Sequence, residues 1–273
     1  MKRFSTYFII VFWMVVMGIY LKREVLPDLI PPPPPSYKTY FARPRQSEYI
    51  RMSILLRTVP VGTSEMALLP REDGSYSLYN RTRAQLTVLH HRVQVLAEAF
   101  ILIDSRHSLK ALKFTFHSPV FVVEAEGEVV GGELRLSITD GTETFEMTLP
   151  YPAHELVMSD LSPLAGISRL WPGQEWQIQI FNPLTMSFER AKVKVEGKEE
   201  IAWQGEMVPA WLLDITYQDQ RLSAWISEDG KILREETAYG VILVREESEK
   251  DEAALAKIRD EVERLWPSKP IGR

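Results

Sequence analysis

The chain has 273 residues, 45% hydrophobic and 25% charged, and its 32 Lys and Arg against 37 Asp and Glu leave a net charge of −5. That balance is ordinary for a globular protein and excludes wholesale disorder, and its acidity excludes a global electrostatic drive towards nucleic acid. No cysteine is present, which excludes disulfides, thiolate catalysis, zinc–thiolate sites and lipoprotein-type acylation.

Residues Phe4 to Leu21 (FSTYFIIVFWMVVMGIYL) contain no Asp, Glu, Lys or Arg. As a helix rising about 1.5 Å per residue, this run reaches roughly 27 Å, close to the ~30 Å hydrocarbon core of a bilayer. Phe8, Phe12 and Trp13 lie within it and Tyr20 near its end, where aromatic rings favour the headgroup region. Lys2 and Arg3 precede the run, and Lys22-Arg23-Glu24 follow it in place of a small-residue cleavage site. Residues 1–24 are therefore expected to be an uncleaved transmembrane signal anchor with a cytoplasmic N-terminus. Lys22, Arg23, Lys38, Arg43 and Arg45 weigh against that orientation; the short N-terminal tail before a large domain weighs for it.

Residues 25–46 read as a stalk. Pro27 and Pro31–Pro35 fix φ and supply no N–H donors, so the stretch favours polyproline II. Five such residues advance roughly 16 Å as a semi-rigid spacer. Lys38, Arg43 and Arg45 then alternate with Tyr37, Tyr40 and Phe41, a pattern that fits either a solvated linker or a strip lying on anionic headgroups or a partner.

From Tyr49 onward the hydrophobic period is two, the signature of strands with one buried and one wet face. Val93, Val95, Ala97, Ala99 and Ile101 fall on one face of a strand. Glu133–Ile138, Trp176–Ile180 and Ala191–Glu196 also alternate, and further strands are predicted at Tyr49–Arg57, Leu109–Phe116, Val120–Ala125, Phe145–Leu149, Ala210–Tyr217, Arg221–Ser227, Ile232–Glu236 and Val241–Arg245. Asp73-Gly74, Asp140-Gly141 and Asp229-Gly230 signal hairpins of type I′. Gly131-Gly132, Gly205 and the Glu-Gly pairs at Glu126-Gly127 and Glu196-Gly197 are read as further tight turns. The predicted units are a β-rich half over 47–153, a connector of short helical turns over 154–173, a second β-rich half over 174–247, and a helix with its tail over 248–273. The helix is expected to start with a capping-box-like Ser248–Asp251, to carry the stripe Leu255, Ile258, Val262 and Leu265, to pair Asp260 with Arg264, and to stop at Pro267. It packs on a sheet or on a partner. The fold class is thus mainly β: an N-terminal transmembrane helix, then one or more curved antiparallel sheets or a half-barrel, with a C-terminal α-helix.

Chemistry is sparse. The five histidines show no His-x-x-x-His spacing, and adjacent His90 and His91 point to opposite faces of a strand. No nucleophile elbow or phosphate-binding glycine loop occurs. Asp214 and Asp219 flank Tyr217 near a strand end and are read as turn acids rather than a catalytic pair. Asn80-Arg81-Thr82 matches a glycosylation sequon. No catalytic residue, metal site or cofactor is expected. Trp171, Trp176, Trp203, Trp211 and Trp225 cluster in the second half, where Trp suits a core, a ligand cavity or an interface alike. Trp211 and Trp225 fall in neighbouring strands and are expected to share a face. With Trp203 and Phe181 they form a candidate surface for an apolar ligand or a partner.

The second half carries a more specific pattern: Phe181-Asn182-Pro183 after a strand, Val193–Ile201, Gly205, and Leu222–Glu236 (LSAWISEDGKILREE). It resembles uncharacterised bacterial envelope β-proteins, including β-regions that precede transglutaminase-like domains, and more distantly the half-barrel of LolA/LolB-type lipoprotein carriers. The resemblance spans roughly residues 47–247 and implies a fold rather than an activity. The chain departs from the carriers in its anchor and in lacking a lipobox cysteine.

These readings converge on a single-pass protein of a bacterial inner membrane with a periplasmic β-domain. Its expected role is that of a non-enzymatic accessory subunit whose partners are the bilayer and a membrane protein complex. The alternative is a tethered binding module or carrier for a lipid or other apolar ligand in the concave sheet.

Overall fold

The structure is a computed structural model that describes residues 16–17, 46–88, 91–151, 157–158, 170–182, 187–218, 220–246 and 251–267. The anchor residues Phe8, Phe12, Trp13 and Tyr20, nearly all of the stalk and most of the 154–173 connector lie outside them. Among the described residues no helix is long and apolar enough to cross a membrane.

Fifteen strands follow in chain order: β1 (Glu48–Leu56), β2 (Val59–Pro70), β3 (Tyr76–Val88), β4 (His91–Ile103), β5 (Leu109–His117), β6 (Val122–Val130), β7 (Glu133–Thr139), β8 (Thr144–Pro150), β9 (Val157–Met158), β10 (Glu175–Asn182), β11 (Ser187–Trp203), β12 (Glu206–Tyr217), β13 (Gln220–Ser227), β14 (Ile232–Thr237) and β15 (Val241–Arg245). Helix α1 (Glu252–Leu265) comes last. All strands belong to one open sheet in the order β8-β7-β6-β5-β4-β3-β2-β1-β15-β14-β13-β12-β11-β10-β9. Every neighbouring pair is antiparallel except two-residue β9, which lies parallel to β10. Two meanders, β1–β8 and β10–β15, are thus sewn together where β1 pairs with β15.

Strand alternation splits the sheet into a face bearing Ile50 and a face bearing Tyr49. The Ile50 face of the second meander is a filled core. Ile50 and Met52 join Val193, Val195, Leu213, Ile215, Ala224 and Ile226 there, the last six fully buried. On the Tyr49 face, α1 lays Leu255, Ile258 and Val262 against Ala67, Leu69, Tyr79 and Phe100. Beneath it Arg81 pairs with Glu98, and burial raises the pKa of the Tyr79 phenol. Asp251 caps the helix by accepting from the Ala254 N–H at 2.9 Å. The cap is therefore Asp251, because its side chain reaches the orphan amide of the first turn. Arg264 Nε reaches the Asp260 backbone carbonyl at 3.4 Å instead of its carboxylate.

Several further expectations are corrected. Strands β2 and β3 escape the alternation analysis. Gly127 and Gly197 are strand residues and not turns: Gly127 sits inside β6 against Leu112, Leu134 and Leu136, and Gly197 adjoins a bulge where β11 shifts register against β12. The Asp73-Gly74 and Asp229-Gly230 loops are not type I′, since only the glycines take positive φ (77° and 88°). Each closes by one amide–carbonyl bond spanning three residues and another spanning four (Gly74 to Arg71 and Arg71 to Ser75; Gly230 to Ser227 and Ser227 to Lys231), the pattern of a type I turn followed by a left-handed residue. Val157–Met158 is extended rather than a helical turn. Asn80 lies mid-strand in β3, paired with Met66 and Ala99, a poor acceptor for a glycan.

Beyond the bulge, β11 and β12 run on as a two-stranded arm past the ends of β10 and β13, whose pairing stops at Lys194 and Ala210. The arm folds over the Tyr49 face. Trp203 Nε1 donates to the Arg245 carbonyl at 3.0 Å, although β11 and β15 lie four strand positions apart, roughly 19 Å in a flat sheet.

Candidate functional site

The residues singled out in the second half are divided by the sheet. Trp211 pairs with Ile226, and Leu212 with Trp225, so the two tryptophans point to opposite faces. Trp211 packs on the filled core of the Ile50 face, with Lys198 Nζ 4.8 Å from its ring centroid. Trp203 and Trp225 pack together on the Tyr49 face with Ile201, Ala210 and Leu233, and Trp225 Nε1 donates to Glu199. Phe181 pairs with Phe188 through its backbone in β10; its side chain lies outside the described set. Trp203 and Trp225 thus share one face at the arm, and Trp211 lies on the other.

The apolar surface lies in the other meander. On the Ile50 face of β3–β8, register places Leu86 beside Val93 and Ala84 beside Val95. The next row runs Thr82–Ala97–Phe116–Val123. The row below runs Asn80–Ala99–Phe114–Ala125–Ile138–Phe145 across six strands. None of these residues is charged. Leu86, Val93, Val95, Phe114, Phe116, Val123 and Ile138 are only half-buried, and Phe145 is 54% exposed. Phe121, in the β5–β6 turn, stacks on Phe116 with ring centroids 5.1 Å apart.

Towards the other end of the same strands the face closes. Leu109, Leu112, Leu134, Leu136 and Tyr151 form a buried cluster, and Leu68 and Ile103 form another. Gly127 is needed here, because a Cβ would lie 2.7 Å from Leu136 Cδ2. Tyr151 fixes this end by accepting from the Leu109 N–H at 3.1 Å and donating its own N–H to Gly132 O at 2.9 Å. The apolar face thus has a packed floor and an open upper half.

The opposite face of β5–β8 is wet, with Lys113, Glu126, Ser137 and Glu146 in one row. Beside the C-terminal end of α1 it forms an open groove of about 910 Å³, lined among others by Arg71, Lys113, Glu126, Arg135 and Trp266. Its charges neutralise one another, as in the Lys113–Glu126 pair at 2.5 Å. Among the described residues no group of three His, Asp or Glu side chains is placed to hold a metal. Asp214 pairs with Arg221 at 2.6 Å, and Asp219, the other acid considered in the sequence, lies outside the described residues.

No family model and no curated protein matches the chain. Among solved structures it is similar to a β-barrel-like protein of domain of unknown function DUF1849 from Brucella abortus, at 12% identity and TM-score 0.49, covering 72% of this chain and 94% of that one. It is also similar to a DUF1089 family protein from Pseudomonas aeruginosa, at 14% identity and TM-score 0.35, covering 70% and 89%. Both are loose likenesses.

Sequence reasoning passed over Leu86, Phe114, Phe116, Phe121, Val123, Ile138 and Phe145. For all but Leu86, which lies in β3, the signal is present in four predicted strands. It became meaningful only on counting layers: one amphipathic helix cannot cover both faces of so wide a sheet.

Proposed function

We propose that this protein is a membrane-tethered envelope module that binds an apolar chain of the lipid acyl type on the Ile50 face of β3–β8. The observation that supports it is the uncharged, half-open apolar surface from Leu86 to Phe145, set beside faces of the same sheet that are packed shut. Each methylene buried there contributes about 0.8 kcal/mol, so a chain of eight or more carbons suffices for measurable affinity. The anchor run at Phe4–Leu21 would hold such a module at a lipid source.

The accessory-subunit reading rests on the anchor, the stalk and the terminal helix. Helix α1 buries its apolar stripe on its own sheet, so it offers no free stripe to a partner.

The test is native mass spectrometry of the full-length protein released from its own membranes in mild detergent. The expected result is a retained lipid-sized mass that disappears in the Val95→Glu/Phe114→Glu variant. Retention of that mass by the variant, or a bare chain throughout, would overturn the reading. A stoichiometric protein companion in place of lipid would establish the accessory subunit instead.

A further inference from the structure

Strand β8 ends the sheet on one side, and among the described strands nothing pairs with its outer edge. The other end is covered, over two residues, by β9 on β10. An open edge presents unpaired N–H and C=O groups and invites another strand. Side chains of β8 (Thr144-Phe145-Glu146-Met147-Thr148-Leu149-Pro150) sort by face: Phe145, Met147 and Leu149 continue the apolar Ile50 face, while Thr144, Glu146 and Thr148 lie on the wet face. All but Met147 and Leu149 are exposed.

We propose that this edge pairs with the same edge of a second copy, antiparallel about a two-fold axis through Met147. In that register Phe145 faces Leu149 of the second copy, Met147 faces its counterpart, and Glu146 faces Thr148. Every residue of the apolar face meets an apolar one and each carboxylate meets a hydroxyl. Moving the axis to Glu146 sets two carboxylates directly opposite, which is destabilising. Moving it to Thr148 leaves Thr144 and Phe145 outside the strand's own overlap. The chosen register keeps the whole strand paired and makes the apolar faces of the two copies continuous.

A single seven-residue strand pair falls short of the ~1,000 Å² of a stable soluble interface. Confinement of both copies to one membrane raises their effective concentration towards the millimolar range, where such pairing suffices. The proposal goes beyond lipid binding and stands without it.

The chain's lack of cysteine makes the test clean. Full-length Met147→Cys in native membranes should give a dimer with a short bismaleimide, and Ser137→Cys, exposed on neighbouring β7, should not. Adding Thr148→Glu to Met147→Cys should lower the yield about fivefold or more by placing Glu opposite Glu146. Adding Glu146→Lys as well should restore it. No dimer at Met147→Cys, equal yield at Ser137→Cys, or no recovery in a triple variant with unchanged circular dichroism would each overturn the proposal. Crosslinking of lipid-free protein would sustain the dimer even if the lipid reading fails, and a lipid-loaded monomer would do the reverse.

Discussion

Gly62 sits opposite Ala84, where β2 lies against the backbone of β3. A Cβ there would overlap the Arg83 carbonyl oxygen and lie 2.7 Å from Ala84 Cα. Both are backbone atoms that cannot swing aside, so Gly62→Ala must push β2 and β3 away from each other. At Gly127 the obstructing atoms belong to leucine side chains, which yield more easily. Gly62→Ala should therefore cost about 3 kcal/mol or more and Gly127→Ala about 1–2 kcal/mol, in the range of overpacked cores; urea denaturation midpoints would rank them. Asp140 acts by charge. Its carboxylate accepts from the Glu143 and Thr142 amides at 2.9 Å and from Thr142 Oγ1 at 2.7 Å. Those bonds draw its pKa from the ordinary 3.8 down to about 2. The folded chain thus binds this proton less tightly than the unfolded one, so the stabilisation is complete above pH 3.8 and is lost as pH falls through about 2. Asp140→Asn should lower Tm at pH 6, and the gap to the parent should shrink between pH 3.8 and about 2 and close below that; a gap that keeps its full size at pH 2 would refute the assignment.

Element by element, the sequence reveals a strand only where one face is wet. β1, β4 and β7 alternate visibly because their opposite faces differ. β2 does not: Leu68 is buried on the Ile50 face while Ala67 and Leu69 are buried beneath α1. With both faces covered, the period of two disappears. β3 is masked for a related reason, since Tyr79 under the helix and Leu78 on the other side are adjacent apolar residues. The tryptophans divide for a different reason. Residue type indicates packing value, but the β12–β13 register pairs Trp211 with Ile226 and Leu212 with Trp225, and a one-residue difference in register decides which face a side chain takes. The helix stripe was legible, and its destination was not. Docking on its own sheet has a measurable consequence: Ile258→Ala should cost about 2–5 kcal/mol as a core truncation, and Asp251→Ala about 1 kcal/mol as a lost cap. Were the stripe reserved for a partner, Ile258→Ala would leave the stability of the isolated chain unchanged.

At the scale of the whole molecule the two meanders look separable, yet each depends on the other. The core of β10–β15 incorporates Ile50 and Met52 from β1. The first meander in turn receives its covering layer from α1, the last of the described elements. Pairing of β1 with β15, as in Ile54 with Leu243, joins residues nearly two hundred positions apart, so closure is non-local and folding is expected to be slow. Neither half holds a complete core without a segment of the other, which makes independent unfolding unfavourable. Leu255→Ala in α1 and Leu213→Ala in β12 truncate buried side chains on opposite faces of the sheet, one in the layer covering the first meander and one in the core of the second. Each should cost about 2–5 kcal/mol, and each should move one and the same calorimetric transition of the full-length protein, with agreement between calorimetric and van't Hoff enthalpies. If the Leu213 variant instead splits the transition, leaving one component at the parental Tm, the first meander is stable alone. The sheet would then be two domains sharing a strand pair, and the apolar face of β3–β8 would belong to a unit that keeps its structure when the other half is lost.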